Sequence, residues 1–170
     1  MDGYVTIKEP AMAEFVEKKS RFIAEIRPVS SEEEFSAFLA GKKSEHWDAS
    51  HNCAAFFLRG GNIQRYSDDG EPHGTAGIPI LEVLRKEELE DCGIVVTRYF
   101  GGTLLGAGGL VRAYTHSAKL AVDAAERVEI CRCRSFLLDT PYPLYDRLLL
   151  LLQEQGALVL DTDFGAAVSI

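Results

Sequence analysis

From Gly93 to Lys119 the chain reads GIVVTRYFGGTLLGAGGLVRAYTHSAK, and no other stretch restricts the fold as much. Ile94, Val95 and Val96 form a short β-branched run of the kind that makes a buried strand. Arg98, Tyr99 and Phe100 then lead into a loop carrying Gly101, Gly102, Gly106, Gly108 and Gly109. A helical pattern follows. Leu110, Tyr114, Ala118 and Ala121 fall on one face, and Arg112, His116, Lys119 and Asp123 on another. Glycines allow positive φ and close backbone approach, and a helix N-terminus presents unpaired N–H groups. Strand, glycine loop and helix, with arginines beside them, therefore describe one of two things: an anion-binding turn, or a turn whose glycines let the helix pack closely on its sheet.

The rest of the chain supplies partners for this unit. Met12–Val16 and Phe22–Ile26 alternate and read as a hairpin turning at Lys18–Ser20. Ser31 with Glu34 is a capping box that opens a helix with Phe35, Phe38 and Leu39 on its apolar stripe. Cys53–Leu58 reads as a strand, turned by Gly60-Gly61-Asn62 into another at Ile63–Ser67. Thr75 is placed to cap a helix running to about Lys86, with Pro79 tolerated in its first turn. The glycine loop then gives way to a long helix from about Leu105 to Ala125. Two helices on one face of a mostly antiparallel sheet make an α+β, two-layer expectation.

From Arg127 the pattern restarts, and the expected domains are 1–130 and 131–170. Ser135–Thr140 reads as a strand, Pro143–Gln155 as a helix with Leu144, Leu148, Leu151 and Leu152 inward, and Ala157–Asp161 as a second strand. Such a β-α-β lobe leaves an exposed sheet edge and is expected to lean on the first domain, to pair with another chain, making an oligomer, or to continue beyond Ile170.

Composition excludes several functions. No stretch approaches the length of an apolar membrane span, and MDGYVTIKEP lacks the order of a signal peptide, so a cytoplasmic protein is expected. The cysteines, Cys53, Cys92, Cys131 and Cys133, show no zinc-type spacing and read as idle thiols. With 18 basic against 26 acidic residues the net charge is −8, which argues against wholesale coating of nucleic acid. Local basic clusters remain: Lys18, Lys19 and Arg21 in one, and Arg98, Arg112 and Lys119 in another around the glycine loop.

Two other segments hold candidate chemistry. Asp68-Asp69-Gly70-Glu71-Pro72-His73 offers carboxylates and an imidazole for a divalent cation, yet the same residues are strong turn formers. The turn reading prevails, and no metal or cofactor is expected. His51 lies two residues from Cys53, but no nucleophile elbow is present. His51 and Asp48 are therefore expected to make structural hydrogen bonds, and no catalytic residue is assigned. Tyr99 and Phe100 point to opposite faces if extended, so at most one is exposed as a stacking platform.

Four segments together carry a resemblance: KKSRF (18–22), HWDASHNCAAF (46–56), SDDGEPHGTAGIPIL (67–81) and VVTRYFGGTLLGAGGLVRAY (95–114). In this order they resemble the YigZ/IMPACT family, whose eukaryotic members regulate translation. The resemblance implies a ribosomal protein S5 domain 2-like fold, shared with small-molecule kinases that place phosphates on a glycine loop. It also implies that the C-terminal lobe is part of a ferredoxin-like domain. The implied role is a binding protein in translation or its regulation, acting through RNA, the ribosome or a translation-control protein partner. A phosphate- or nucleotide-handling enzyme and a ligand-free protein-interaction module stay open beside it. The anion or nucleic-acid site would comprise Lys19, Arg21, Arg98, Tyr99, Phe100, Gly101, Gly102, Gly106, Gly108, Gly109, Arg112 and Lys119. The motif loops add His51, Asp68, Asp69, Gly70, Glu71, Gly74 and Thr75.

Overall fold

Alternation builds the sheet. Along β3 (Ser20–Pro28), Phe22, Ala24 and Ile26 turn to one side and are almost wholly buried. Along β4 (His51–Leu58) and β6 (Cys92–Tyr99) nearly every residue is buried, whichever way it points. The computed structural model describes residues 3–60 and 62–170. The remaining elements of the first part are β1 (Tyr4–Ile7), β2 (Ala11–Glu17), α1 (Glu32–Glu45), β5 (Ile63–Ser67), α2 (Gly77–Lys86), α3 (Ala107–Ala124) and β7 (Arg127–Ile130). The main sheet has the order β2-β3-β6-β4-β5, and all its neighbours are antiparallel. A separate antiparallel pair, β1 with β7, was not foreseen from sequence.

Helices α2 and α3 pack on one face, where Ile80, Leu84, Tyr114 and Ala118 meet Phe22, Ala55, Ile94 and Val96. The third helix departs from the two-layer expectation. Phe35 and Phe38 of α1 pack with Ala54, Phe56 and Val95 on the opposite face, so the centre of the sheet is covered twice. The physical reason lies in β4 and β6, which are apolar on both faces and need cover on both. Gly93 admits that cover: a Cβ there would lie 2.4 Å from the Phe35 ring.

Local signals explain most element ends. Lys18 and Lys19, at φ 45° and 66°, form a two-residue hairpin loop between Glu17 and its partner Ser20. Of the Gly60-Gly61-Asn62 turn, Gly61 lies outside the described residues, and Asn62 has φ 51°. Ser31 Oγ accepts from Glu34 N at 3.1 Å, but the Glu34 carboxylate reaches Ser30 N at 2.7 Å instead of closing the box on Ser31. The α1 C-terminal half is tied down by Lys42, which bonds Glu25 of β3 at 2.6 Å and Glu45 at 2.5 Å.

The chain parts into two compact units between Cys131 and Arg132. The second contains β8 (Asp139–Thr140), a 3-10 turn at Tyr142–Leu144, α4 (Tyr145–Glu154), β9 (Asp163–Phe164) and β10 (Val168–Ser169), in a sheet of order β8-β10-β9. Two expectations are corrected here. Residues Ala157–Asp161 form no strand; the chain reverses at Gly165 instead, where β9 and β10 pair. Leu144, in the 3-10 turn before α4, and Leu151 are exposed, and the half-buried residues of α4 are Tyr145, Leu148, Leu149 and Leu152. Among the described residues no helix is long and apolar enough to cross a membrane.

Candidate binding cleft at the end of the sheet

The strand order gathers one end of the main sheet from segments far apart in the chain. The β2–β3 loop, the segment before β4, the loop from β5 to α2 and the loop from β6 to α3 all emerge there. Their residues bond to one another. Asp69 Oδ2 accepts from Asn52 N at 2.7 Å, His51 Nδ1 meets the Asp69 carbonyl at 2.8 Å, and Phe100 N donates to Ser50 Oγ at 3.1 Å.

Asp68 organises the acidic loop. Its carboxylate accepts from Gly74 N at 2.8 Å, Ala76 N at 3.1 Å and Gly77 N at 2.8 Å, so it caps α2 from outside the helix. Thr75 is therefore not the cap. Its hydroxyl donates to the Pro72 carbonyl at 2.6 Å, and Ala76 stands at the N-cap position without a side-chain bond. Burial works against the Asp68 charge, but the three backbone N–H groups outweigh it and hold the carboxyl below its ordinary range. Asp69 is lowered too: burial is outweighed there by Lys43, at 2.5 Å, and by Asn52 N. Among the described residues no cluster of three or more His, Cys, Asp or Glu is arranged to hold a metal ion.

Glu71 instead turns inward. Its Oε1 accepts from Arg98 at 2.6 Å and from the Tyr114 hydroxyl at 2.7 Å, with 3 % of the Glu71 side chain and 6 % of the Arg98 side chain exposed. Arg98 also donates to Ser20 Oγ at 3.3 Å, and its guanidinium lies between the rings of Phe22 and Phe100, 5.6 Å from each centroid. The charge of Arg98, expected at the anion site, is thus already met by a buried carboxylate. Cys53 Sγ donates to the Asp68 carbonyl at 3.0 Å, and burial pushes its thiol pKa far up. Tyr114, absent from the sequence-based site, completes this network. A tyrosine inside the apolar stripe of α3 was the available signal, since a buried phenol needs a partner.

Each loop glycine has its own reason. A Cβ on Gly101 would lie 2.0 Å from the Lys19 carbonyl carbon, so the glycine loop rests directly on the hairpin loop. Gly102 and Gly106 hold φ of 80° and 73°, and Gly106 stands at the α3 N-cap with no side-chain bond. Gly108 and Gly109 lie inside the first turns of α3.

Two depressions flank Leu105. One, of about 420 Å³, is walled by Phe100, Leu104, Leu105 and Leu110, with His51 and Glu71 among its polar groups. The other, of about 270 Å³, holds Lys18, Arg112 and His116 beside Phe15, Glu17 and Leu105. The two basic clusters of the sequence are thereby redrawn. Lys18 and Arg112, one from each, share a groove, whereas Arg98 is buried and Lys119 lies about 18 Å along α3 from Ala107. Lys119 pairs with Glu87 at 3.1 Å and with Asp123. Arg21 pairs with Glu14 at 2.6 Å and sits over Tyr99. Lys19 is exposed on the hairpin loop next to Lys18. Tyr99 bonds His46 and Asp48, leaving Phe100, at 48 % exposure, as the open aromatic.

The Impact N-terminal domain family profile matches residues 18–122, a span that includes every loop at this end. A Bacillus subtilis relative, IMPACT family member YvyE, is 52 % identical over 118 residues, covering 69 % of this chain and 54 % of that protein. Escherichia coli YigZ, also an IMPACT family member, is 44 % identical over 100 residues, covering 57 % of this chain and 49 % of its own. The chain thus matches about half the length of these relatives. A crystal structure described as that of a hypothetical protein superposes with a TM-score of 0.73 at 32 % identity, covering 99 % of this chain and 84 % of the other. This chain belongs to the IMPACT family.

Proposed function

We propose that this chain is a non-enzymatic binding protein of translation or its regulation, and that it takes single-stranded RNA at the loop end of its main sheet. One observation carries the reading: a basic groove with Lys18 and Arg112 adjoins an apolar cleft with an open aromatic, Phe100, and Leu105 lines both. Single-strand binders combine cations along the phosphates with platforms on which bases stack. Buried pairing of Arg98 with Glu71 leaves the phosphate role to Lys18, Lys19 and Arg112. Of the β6–α3 loop glycines, Gly101 seats the loop against the hairpin, which accounts for that glycine without a nucleotide-transferring enzyme.

Finer fold assignments belong to the same proposal. The main sheet with α2 and α3 is read as ribosomal protein S5 domain 2-like. The second unit is read as the start of a ferredoxin-like domain, which its β8-β10-β9 order suits. The test is titration of a labelled single-stranded RNA at several salt concentrations. Arg112→Ala and Lys18→Ala should each weaken binding of all sequences and reduce the salt slope by about one. Binding and slope unchanged in both variants would overturn the proposal.

A further inference from the structure

Trp47 is the only tryptophan of the chain, and 81 % of it is exposed. One exposed apolar side chain needs no explanation by itself, but this one is presented by a rigid backbone. Ala49 N donates to the His46 carbonyl at 3.0 Å, so Trp47 and Asp48 are the central residues of a β-turn. The turn is pinned on both flanks: His46 N donates to the Lys42 carbonyl and Ser50 N to the Arg98 carbonyl, each at 2.9 Å. Its side chains converge on Tyr99, whose hydroxyl lies 2.9 Å from His46 Nδ1 and donates to Asp48 Oδ1 at 3.2 Å.

The setting favours a cation. The turn directly follows α1, at the helix end where unpaired carbonyls leave partial negative charge. Asp48 stands beside the indole in sequence, and among the described residues no cation pairs with it. The basic side chains of neighbouring segments are committed: Lys42 to Glu25 and Glu45, Lys43 to Asp69, Arg21 to Glu14. Cations lie over Tyr4, Phe22, Phe38, Tyr99 and Phe100, but none of the described residues places one over Trp47. Phosphates at this turn would meet Asp48 and the carbonyl end of α1, so a nucleic-acid strand is the disfavoured occupant.

We propose that the Trp47 turn is a docking point for an arginine or lysine side chain of a basic protein partner, with the indole face as the cation–π platform and Asp48 as the countercharge. Tryptophan gives the strongest platform of this kind and is enriched among the residues that carry protein–protein affinity. A turn already fixed in place loses little freedom when the partner arrives. The net charge of −8 attracts a basic segment from a distance, and the turn gives it a place to seat. Trp47 lines neither of the two depressions beside Leu105, so this site is independent of the RNA-binding reading.

Because Trp47 is the only tryptophan, the intrinsic emission of the native chain reports on it directly. The probes are capped octapeptides alternating glycine with arginine, with citrulline or with glutamate; citrulline matches arginine in shape without its charge. The arginine peptide should change Trp47 emission saturably, and the other two should leave it unmoved. With a dye on the peptide, Trp47→Leu should weaken arginine-peptide binding about fivefold, since it keeps the apolar bulk and loses the ring. Asp48→Asn, which retains an acceptor for the Tyr99 hydroxyl, should weaken it about threefold. Unmoved emission, or equal affinities of the native and Trp47→Leu proteins, would overturn the site by placing the peptide elsewhere on the acidic surface. A single-stranded RNA that quenches Trp47 emission more strongly than the arginine peptide would overturn it as well, by assigning the turn to RNA.

Discussion

Helix α3 lays Tyr114, Ala118, Ala121 and Val122 against the sheet with none of their surface exposed, whereas α4, richer in leucine, buries no side chain fully. In the second unit Leu150, Leu158 and Leu160 are 61 %, 83 % and 79 % exposed. Periodicity alone does not distinguish the two helices. The five-stranded sheet does, because it offers α3 a continuous apolar floor, while β8, β9 and β10 are each two residues long. A leucine stripe therefore states what a helix can bury, and the size of the facing sheet decides how much it does.

Substitutions sharpen that contrast, beginning with the polar network that only the first unit contains. Arg98→Ala would remove the buried charge partner of Glu71 and leave it only the Tyr114 hydroxyl, and should cost about 3–5 kcal/mol in urea unfolding. This outcome also separates a structural from a ligand-binding arginine: a stable Arg98→Ala protein with lost RNA affinity would contradict the buried-pair account. Next comes a matched pair in the two units. Leu84→Ala, at a position with no exposed surface, should cost about 2–5 kcal/mol, and Leu152→Ala in α4 under about 1 kcal/mol. Similar losses would show that α4 is packed far more tightly than its exposure indicates.

Gly101→Ala tests the seat of the glycine loop. With the new Cβ 2.0 Å from Lys19 backbone, the hairpin must shift, at about 1–3 kcal/mol by thermal denaturation. Gly108→Ala, whose Cβ meets only the flexible end of Arg112 at 3.6 Å, should be neutral or slightly stabilising by the same measurement. A smaller effect concerns acid. Asp68 and Asp69 have folded pKa values below the ordinary 3.8, so their contribution is complete above that value and is lost as pH falls through the depressed ones. Acid unfolding of Asp68→Asn should accordingly be shallower below pH 4 than that of the native protein, and an unchanged acid limb would count against the capping role.

Much of this was legible beforehand because it depends on neighbours in sequence. Alternation at Phe22–Ile26, the hairpin turn expected at Lys18–Ser20 and the α3 stripe were readable, since period and turn chemistry are local. The four motif segments could be named as one set, and His51, Gly70, Glu71, Arg98, Phe100 and Gly106 do line one cleft. Their roles were less accessible. Whether Arg98 meets solvent or Glu71, and whether Thr75 or Asp68 caps α2, depends on bonds between residues on separate strands and loops. The placement of α1 on the second face turned on Gly93, whose missing side chain matters only once Phe35 is opposite it.

The sequence by itself determined most elements of the first unit, all but β1 and β7, and the family, because hydrophobic period, glycine positions and turn residues act over a few residues. Tertiary structure alone decided which charges are spent and which are free. Glu71 consumes Arg98, Glu87 and Asp123 consume Lys119, and Lys18 with Arg112 are brought to a common groove. Charge pairing acts through space over a few ångströms, and the residues it joins lie on elements that only the folded sheet brings together.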